Sequence, residues 1–450
     1  MTILDFIVFF IYVFIFHRIF SLVRKKYTNP QLRIYYRNLF WIKVFSCFVY
    51  SLFVLYISRG DTSALYFPEG YNFFKLIIKD PSNISLLWSS SADFNEELLS
   101  NTDALGYLKD DSNYMVTCIT AALCFLTFGK YMAVNLFFSM LSMTGVWKLY
   151  LFFYRQYPQL HKQIAIAVLY LPTFVFWCSG ILKDPLCVGA LGWLTYALYS
   201  IFYIKNEGVL KNSLIVLVAG YLLFVLKVYI LVSYLPAFGL FLILKNVTLI
   251  KNKFVKLILI VAFIVGSALS FVKIASSLQN ALGGFASQGL TQSIIQYQTN
   301  YGNQELMGGS YFTLGVEFDG SASSLVRIAP AAIVATLFRP FLWESKKIST
   351  LLSSLESLML MLFTIYTLRK AGIKNFFYTI INKPIVLYCF IFSIVFALFV
   401  GATTLNFGSL VRYKIPSIPF YILSLFFILY FNNKLKINPL GEQALEIKNV

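Results

Sequence analysis

Charged residues are scarce in this chain of 450 residues. Only 12% of them are Asp, Glu, Lys or Arg, and 59% are hydrophobic, whereas a soluble domain carries about 25% charged residues. This deficit excludes an ordinary soluble domain. Apolar runs of roughly 17–25 residues recur along the chain, and lipid leaves no backbone polar group unpaired. The sequence therefore predicts an all-α, polytopic transmembrane helix bundle of about eleven to thirteen spans.

Several chemical groups and motifs are also missing or rare. With only His17 and His161, the chain cannot build a metal site from histidines, and its six cysteines fall in or beside apolar runs, as small core residues do. The G-x-x-x-x-G-K-[ST] phosphate loop, the H-E-x-x-H zinc motif and the G-x-S-x-G nucleophile elbow do not occur. We therefore expect no cofactor, although a divalent metal, which no motif indicates, stays open. We also expect no nucleic-acid partner.

Acidic residues are few and unevenly distributed. The chain has 19 of them against 37 Lys and Arg, and nine of the 19 lie in residues 59–113 beside only four cations, a local net charge of −5. Residues 24–38 show the opposite pattern, with five cations and no acid. Because Lys and Arg favour the cytoplasmic side of short loops, we expect residues 24–38 inside and residues 59–113 outside. The nine acids are Asp61, Glu69, Asp80, Asp93, Glu96, Glu97, Asp103, Asp110 and Asp111.

The same rule organises the rest of the chain into one membrane domain, residues 1–450, with two long external loops. The first is 59–113, and the second is 273–324, which has no cation after Lys273. Residues 432–450 form a predicted cytoplasmic tail. We expect the first apolar run, residues 3–22, to be a retained span rather than a signal peptide, because it lacks a small-residue cleavage site.

Three shorter predictions concern local structure. Residues 76–84 are apolar-periodic enough to form an amphipathic helix on the outer surface. Residues 115–128 are short for a span, and we expect a partial or interfacial helix there. Residues 214–226 and 228–244 read as a helical hairpin with Lys227 at its outer tip.

Ionisable residues beside membrane helices are candidates for function. Asp61 follows the second predicted span, residues 39–58, and Tyr66 lies shortly after it. A carboxylate held near the bilayer surface can act as a general base. The alternative is an ordinary polar start of a loop.

A second candidate lies in a very short turn between two apolar runs, where Lys183 and Asp184 must each find a partner. Lys227 adds a single cation at the predicted hairpin tip. A structural Lys–Asp ion pair is the alternative to a functional site here.

Two further candidates lie late in the chain. Arg412, Tyr413 and Lys414 precede the last span, and two cations beside a membrane surface suit a phosphate headgroup. Arg339 and Glu344 flank an aromatic segment. The alternatives are a cationic anchor for a helix end and a basic cytoplasmic helix end, respectively.

These motifs together resemble the GT-C superfamily, integral-membrane glycosyltransferases that use polyprenyl-phosphate sugars. The resemblance rests on the acidic first loop, the membrane-adjacent Asp61, the Lys-Asp turn and the late segment RYKIPSIP. Three blocks, GDT at 60–62, FWCSGILKD at 176–184 and RPFLWE at 339–344, also resemble blocks of uncharacterised polytopic proteins of the Bacteroidetes.

The resemblance implies a bacterial inner-membrane enzyme whose site faces the exterior. It implies that Asp61 deprotonates the hydroxyl of a glycan or lipid acceptor. Arg412 and Lys414, with Lys183 or Arg339, would then hold the phosphate of the polyprenyl-phosphate-linked sugar. Membrane lipid is the other expected partner.

Three alternatives remain open at this point. A polysaccharide polymerase would join lipid-linked repeat units with similar groups. A transporter or flippase would place charged or helix-breaking residues near the bilayer midplane, whereas the candidate charges here are predicted at one face. A non-catalytic assembly or channel subunit is the third alternative.

Overall fold

The structure is a computed structural model that describes residues 2–89, 91, 105–204, 208–246, 310–316, 322–345 and 348–437. Within these ranges the chain is helical and forms no β-strand, with one isolated bridge between Tyr311 and Asn406. The predicted all-α class is therefore confirmed. Most of the predicted second external loop, four acids of the first loop and residues 257–272 lie outside the described residues.

The described residues form two compact units, one ending at Val228 and one beginning at Tyr229. The first unit contains eight helices and the first part of a ninth. A π-helical turn, Thr62–Tyr66, and short helices at Pro81–Leu87, Leu105–Leu108 and Pro158–Leu160 connect them. The helices are α1 (Ile3–Lys25), α2 (Pro30–Tyr56), α3 (Phe67–Lys79), α4 (Asp111–Thr127), α5 (Tyr131–Gln156), α6 (His161–Leu169), α7 (Pro172–Trp177), α8 (Lys183–Tyr203) and α9 (Val209–Asn246).

The second unit continues from α9 after a break in that helix. At Lys227 the backbone leaves helical geometry (φ −155°, ψ 76°). The described helices that follow are α10 (Ala322–Phe338), α11 (Ile348–Ala371), α12 (Ile373–Asn382), α13 (Pro384–Thr403), α14 (Phe407–Tyr413) and α15 (Ile418–Ile437). A short helix at Leu342–Glu344 lies between α10 and α11.

Seven of these helices are long and apolar enough to cross a membrane, and α14 with α15, bent by 60°, would make an eighth. The chain is thus a multi-pass membrane protein. Helix α1 has exposed apolar side chains that suit contact with lipid, since Ile3 is 81% exposed and Phe14 is 63% exposed. The described helices include fewer full spans than the predicted eleven to thirteen, because several apolar runs form short or broken helices. Pro172, for example, divides the run at 164–180 into α6 and α7.

Local sequence signals explain where the helices begin. The Asn29 side chain accepts a hydrogen bond from the Gln31 amide at 2.8 Å and caps α2, whose first residue is Pro30. Asp110 caps α4 in the same way through the Ser112 amide at 2.8 Å. Consequently α2 starts nine residues before the predicted second span at residue 39.

The predicted amphipathic helix at 76–84 is displaced. The helix is α3, Phe67–Lys79, and it buries Phe73 and Ile77. It ends at Asp80, whose side chain accepts a bond from the Ser82 amide and starts the next short helix. The apolar period at 76–84 therefore spans a helix end, which a capping Asp before Pro81 produces.

Helices α5 and α8 of the first unit approach each other at backbone distance. A Cβ atom on Gly145 would lie 2.0 Å from the carbonyl oxygen of Gly189, and one on Gly192 would lie 2.0 Å from that of Gly145. Small residues allow membrane helices to approach at backbone distance. This contact positions the N-terminus of α8, where Lys183 and Asp184 lie. In the second unit Gly401 of α13 approaches Ala332 of α10 in the same manner.

Candidate functional site

Polar residues of the first unit gather where α2 ends and where α4 and α8 begin. We call Asp61, Asp110, Ser112 and Lys183 the carboxylate–lysine cluster. The Lys183 ammonium donates to the Ser112 hydroxyl and lies 3.8 Å from the Asp110 carboxylate. Asp61 comes directly before Thr62, whose hydroxyl donates to the carbonyl of Ile181 at 2.7 Å, two residues before Lys183. The structure thus brings Asp61 and Lys183, two predicted site residues, into one cluster.

The cluster is accessible. The Lys183 side chain is 18% exposed and that of Asp110 is 32% exposed, and Asp61 is of intermediate burial. An ammonium held this way has donors left for an anion, since Lys carries three. A partly exposed carboxylate near it can accept a proton from a bound hydroxyl group.

Side-chain hydrogen bonds hold the segment that carries Asp61 in place. The hydroxyl of Thr62 donates to the carbonyl of Ile181 at 2.7 Å. Because that bond uses its hydrogen, the Tyr50 hydroxyl at 2.7 Å is the donor to Thr62. Tyr66 is buried and donates to the Asn113 side chain at 2.8 Å. The π-helical turn Thr62–Tyr66 is therefore tied to the segments that begin α4 and α8, and such turns are frequent at functional sites.

Asp184 has a different environment from its neighbour Lys183. Its carboxylate accepts a bond of 2.5 Å from the Lys227 ammonium, and the two side chains are 0% and 5% exposed. The predicted interruption at Lys227 is present, but as a break within the helix α9 rather than as the tip of a hairpin, and Lys227 is buried there. The break lets the chain place a cation against the first turn of α8, where a carboxylate is also favoured by the helix dipole. Lys227 and Asp184 form a structural ion pair, and the partner of Asp184 is Lys227 rather than Lys183.

Lys43, halfway along α2, is a buried charge that the sequence analysis missed. It is 1% exposed, and its ammonium donates to the carbonyl of Cys178 at 2.5 Å and to the Ser142 hydroxyl at 3.2 Å. A single Lys inside an apolar run was the available signal, because charges within membrane helices are rare and functional. Nearby, Asn135 accepts from the Ile181 amide at 2.8 Å and donates to Ser51 at 3.0 Å. These bonds satisfy the backbone of the turn before α8.

In the second unit, Arg339 is held on several sides. Its guanidinium forms an ion pair with Glu344 and lies 4.3 Å from the ring centre of Phe312 and 5.2 Å from that of Phe407. Glu344 also accepts from the Phe341 amide at 2.8 Å. The predicted association of Arg339 with Glu344 is therefore present, as a local pair five residues apart.

Lys414, also in the second unit, is buried at the end of α14. It is 4% exposed and donates to the carbonyl of Arg339 at 3.0 Å and to the Ser357 hydroxyl at 2.7 Å. Arg412 and Tyr413 are of intermediate burial on α14, a seven-residue helix, and not in an extended loop. Lys414 thus serves the packing of its unit, and Arg412 is the more accessible cation of the pair.

The cysteine prediction is confirmed, since all six are free and buried. Among the described residues, no group of three or more His, Cys, Asp or Glu side chains could hold a metal ion. No family model matches the chain, and no curated protein or solved structure shows significant similarity to it.

Proposed function

We propose that this protein transfers a sugar from a polyprenyl-phosphate-linked donor to a glycan or lipid acceptor of the cell envelope. The observation that carries the proposal is the carboxylate–lysine cluster at the predicted external end of α2. There the Thr62–Ile181 hydrogen bond joins the segment of Asp61 to that of Lys183, and both side chains are partly exposed. A carboxylate base and an anion-binding cation on neighbouring segments suit attack on a phosphate-activated sugar.

In the proposed reaction the acceptor hydroxyl attacks the anomeric carbon, and the bond from that carbon to the phosphate oxygen breaks. Asp61 takes the hydroxyl proton. Lys183, kept in place by Ser112 and Asp110, stabilises the charge that develops on the departing polyprenyl phosphate. Tyr66 supports the segment that carries Asp61. The proposal rests on the first unit, and it assigns no direct role to Lys414, Arg339, Glu344, Arg412 or Tyr413.

The test uses the full chain in lipid nanodiscs of bacterial lipids, with a panel of polyprenyl-phosphate and polyprenyl-diphosphate sugars and mass spectrometry of the products. Asp61→Asn should lower turnover roughly 10²–10⁴-fold, the usual contribution of a general base. Transfer only from diphosphate-linked oligosaccharides would favour the polymerase alternative.

Asp80→Asn is the matched control. Asp80 lies in the same acidic segment and is fully exposed, and hydrogen bonds from the Ser82 amide and side chain lower the pKa of its carboxyl group. It is therefore an ionised carboxylate outside the cluster, and its neutralisation should leave turnover unchanged. Equal turnover in Asp61→Asn and the unaltered protein, with both folded, would remove Asp61 as the base.

A second candidate function is transport or flipping of a lipid-linked substrate. Lys43 favours it, because a buried cation halfway along a span is typical of substrate pathways in transporters. In proteoliposomes, translocation of a fluorescent polyprenyl-phosphate analogue should then fall with Lys43→Met and persist with Asp61→Asn. The glycosyltransferase proposal predicts no translocation in either protein.

A further inference from the structure

The other end of α2 holds a cavity of about 280 Å³ between α1 and α2. The two helices pack side by side there through aromatic contacts such as that of Phe20 with Tyr36, whose ring centres are 5.9 Å apart. Four of the five lining residues are cations. We call this site the cationic cavity, and its lining is Arg24, Lys25, Arg33, Ile34 and Arg37.

No carboxylate of these two helices balances that charge. The chain has no Asp or Glu between Asp5 and Asp61, so the whole of α2 and the loop before it lack an acid. Like charges this close repel one another unless an anion or water separates them. A bound anion would therefore gain from four cations at once.

The loop between the helices orients one of these cations. The Arg33 side chain donates to the carbonyl of Tyr27 at 2.6 Å and to that of Lys25 at 3.4 Å. A guanidinium held by backbone carbonyls loses little freedom when an anion binds. Its planar fork matches the oxygens of a phosphate.

The surroundings of the cavity are apolar. Ile34, in its lining, is 48% exposed, and Leu22, on the last turns of α1, is 63% exposed. Both belong to helices long and apolar enough to cross a membrane, so acyl chains can lie against them. The volume is below the roughly 300–1,000 Å³ of sites that enclose whole small molecules. It suits a headgroup whose tails stay outside.

We propose that the cationic cavity binds the phosphate of an anionic phospholipid headgroup, with the acyl chains along Leu22 and Ile34. Basic pockets between membrane helices bind such headgroups in the same way. The site is separate from the carboxylate–lysine cluster, which lies beyond the opposite end of α2, and it does not depend on the proposed function.

The test titrates phosphatidylglycerol or phosphatidylcholine into the full chain in neutral detergent and counts bound lipids by native mass spectrometry. The double variant Arg24→Gln with Arg37→Gln keeps the loop contacts of Arg33. It should weaken phosphatidylglycerol binding roughly 30-fold, since each of the two cations contributes about fivefold. The control, Lys26→Gln with Lys162→Gln, removes the same charge from exposed positions outside the cavity and should retain binding.

Equal losses in the two double variants would overturn the proposal, because attraction would then depend on overall charge rather than on the cavity. Equal binding of phosphatidylcholine and phosphatidylglycerol would overturn it as well. Inorganic phosphate in the titration separates the two sources of the anion. Displacement of the lipid by millimolar phosphate would make the cavity a soluble-phosphate site, and persistence of the lipid supports the headgroup. Thermal unfolding in lipid-free detergent checks that both double variants are folded.

Discussion

Two adjacent residues at the start of α8 lead into regions of opposite character. Asp184 forms a buried ion pair with Lys227 at 2.5 Å. Lys183 belongs to the partly exposed carboxylate–lysine cluster and lies 3.8 Å from Asp110. A buried pair is not accessible to a ligand, and breaking it leaves an isolated charge out of water. A partly exposed ion pair contributes little stability, and its members can exchange one partner for another. Asp184 therefore has a structural role, whereas Lys183 is free to take the phosphate-binding role that we propose for it.

The largest expected effect is on the buried pair. Lys227→Met leaves Asp184 buried without its cation and should lower the free energy of unfolding by about 3–5 kcal/mol. We expect a large drop in Tm for the full chain in detergent. Adding Asp184→Leu to Lys227→Met should recover most of that loss, since apolar residues of similar size often replace a buried pair at no cost.

The control for this experiment is Lys162→Met, which removes an exposed cation of α6 and should leave Tm nearly unchanged. If Lys227→Met behaved like Lys162→Met, the pair would not be structural and the comparison would fail.

An intermediate effect is expected where both regions share a support. In Gly145→Ala the new methyl group would lie 2.0 Å from the Gly189 carbonyl oxygen, so α5 and α8 must separate. Overpacking of this kind costs about 1–3 kcal/mol. It should also displace Lys183 and Asp184 together, lowering Tm and turnover in the same variant.

Gly220→Ala is the matched control, because a Cβ atom at Gly220 in α9 would meet nothing within 4 Å. Alanine also has the better helix propensity. Gly220→Ala should therefore keep or raise Tm. A Gly145→Ala protein as stable as Gly220→Ala would show that the α5–α8 contact relaxes easily.

The smallest effect on stability is expected in the open cluster. Asp110→Asn removes a partly exposed partner of Lys183 at 3.8 Å, and such pairs contribute about 0–1 kcal/mol. The amide keeps the capping oxygen that the Ser112 amide bonds. We expect Tm to change little. The KM for the lipid-linked donor should fall, because Lys183 loses a carboxylate that competes with the donor phosphate. A large fall in Tm would move this pair into the structural class with Asp184 and Lys227.

Asp61, Lys183 and Asp184 stand out in the sequence, because an ionisable side chain beside an apolar run needs a partner. The sequence does not show which partner. Lys183 and Asp184 are neighbours in the chain, yet Asp184 pairs with a residue 43 positions away. The sequence predicts a hairpin tip at Lys227 because a break in an apolar run resembles a loop, whereas the structure has a buried break within one helix.

The burial of Lys43 and Lys414 is not predictable from the sequence for a related reason. A lysine in or beside an apolar run predicts either a charge at the membrane surface or a buried functional group, and the two have the same local sequence. The acceptors that decide between them are neutral oxygens far along the chain, Cys178 for Lys43 and Ser357 for Lys414. Nothing in composition or periodicity marks a carbonyl as a partner.

The amino-acid sequence alone establishes the class of this protein, because hydropathy and the backbone's need for hydrogen bonds in lipid leave helices as the solution for its apolar runs. It also determined helix starts such as α2 and α4, where Asn29 and Asp110 act within three residues. Which charged side chains are buried and which stay partly exposed depends on the tertiary structure. Burial and pairing depend on residues brought together from distant segments, and the backbone contact of Gly145 with Gly189 is what sets the start of α8 among them.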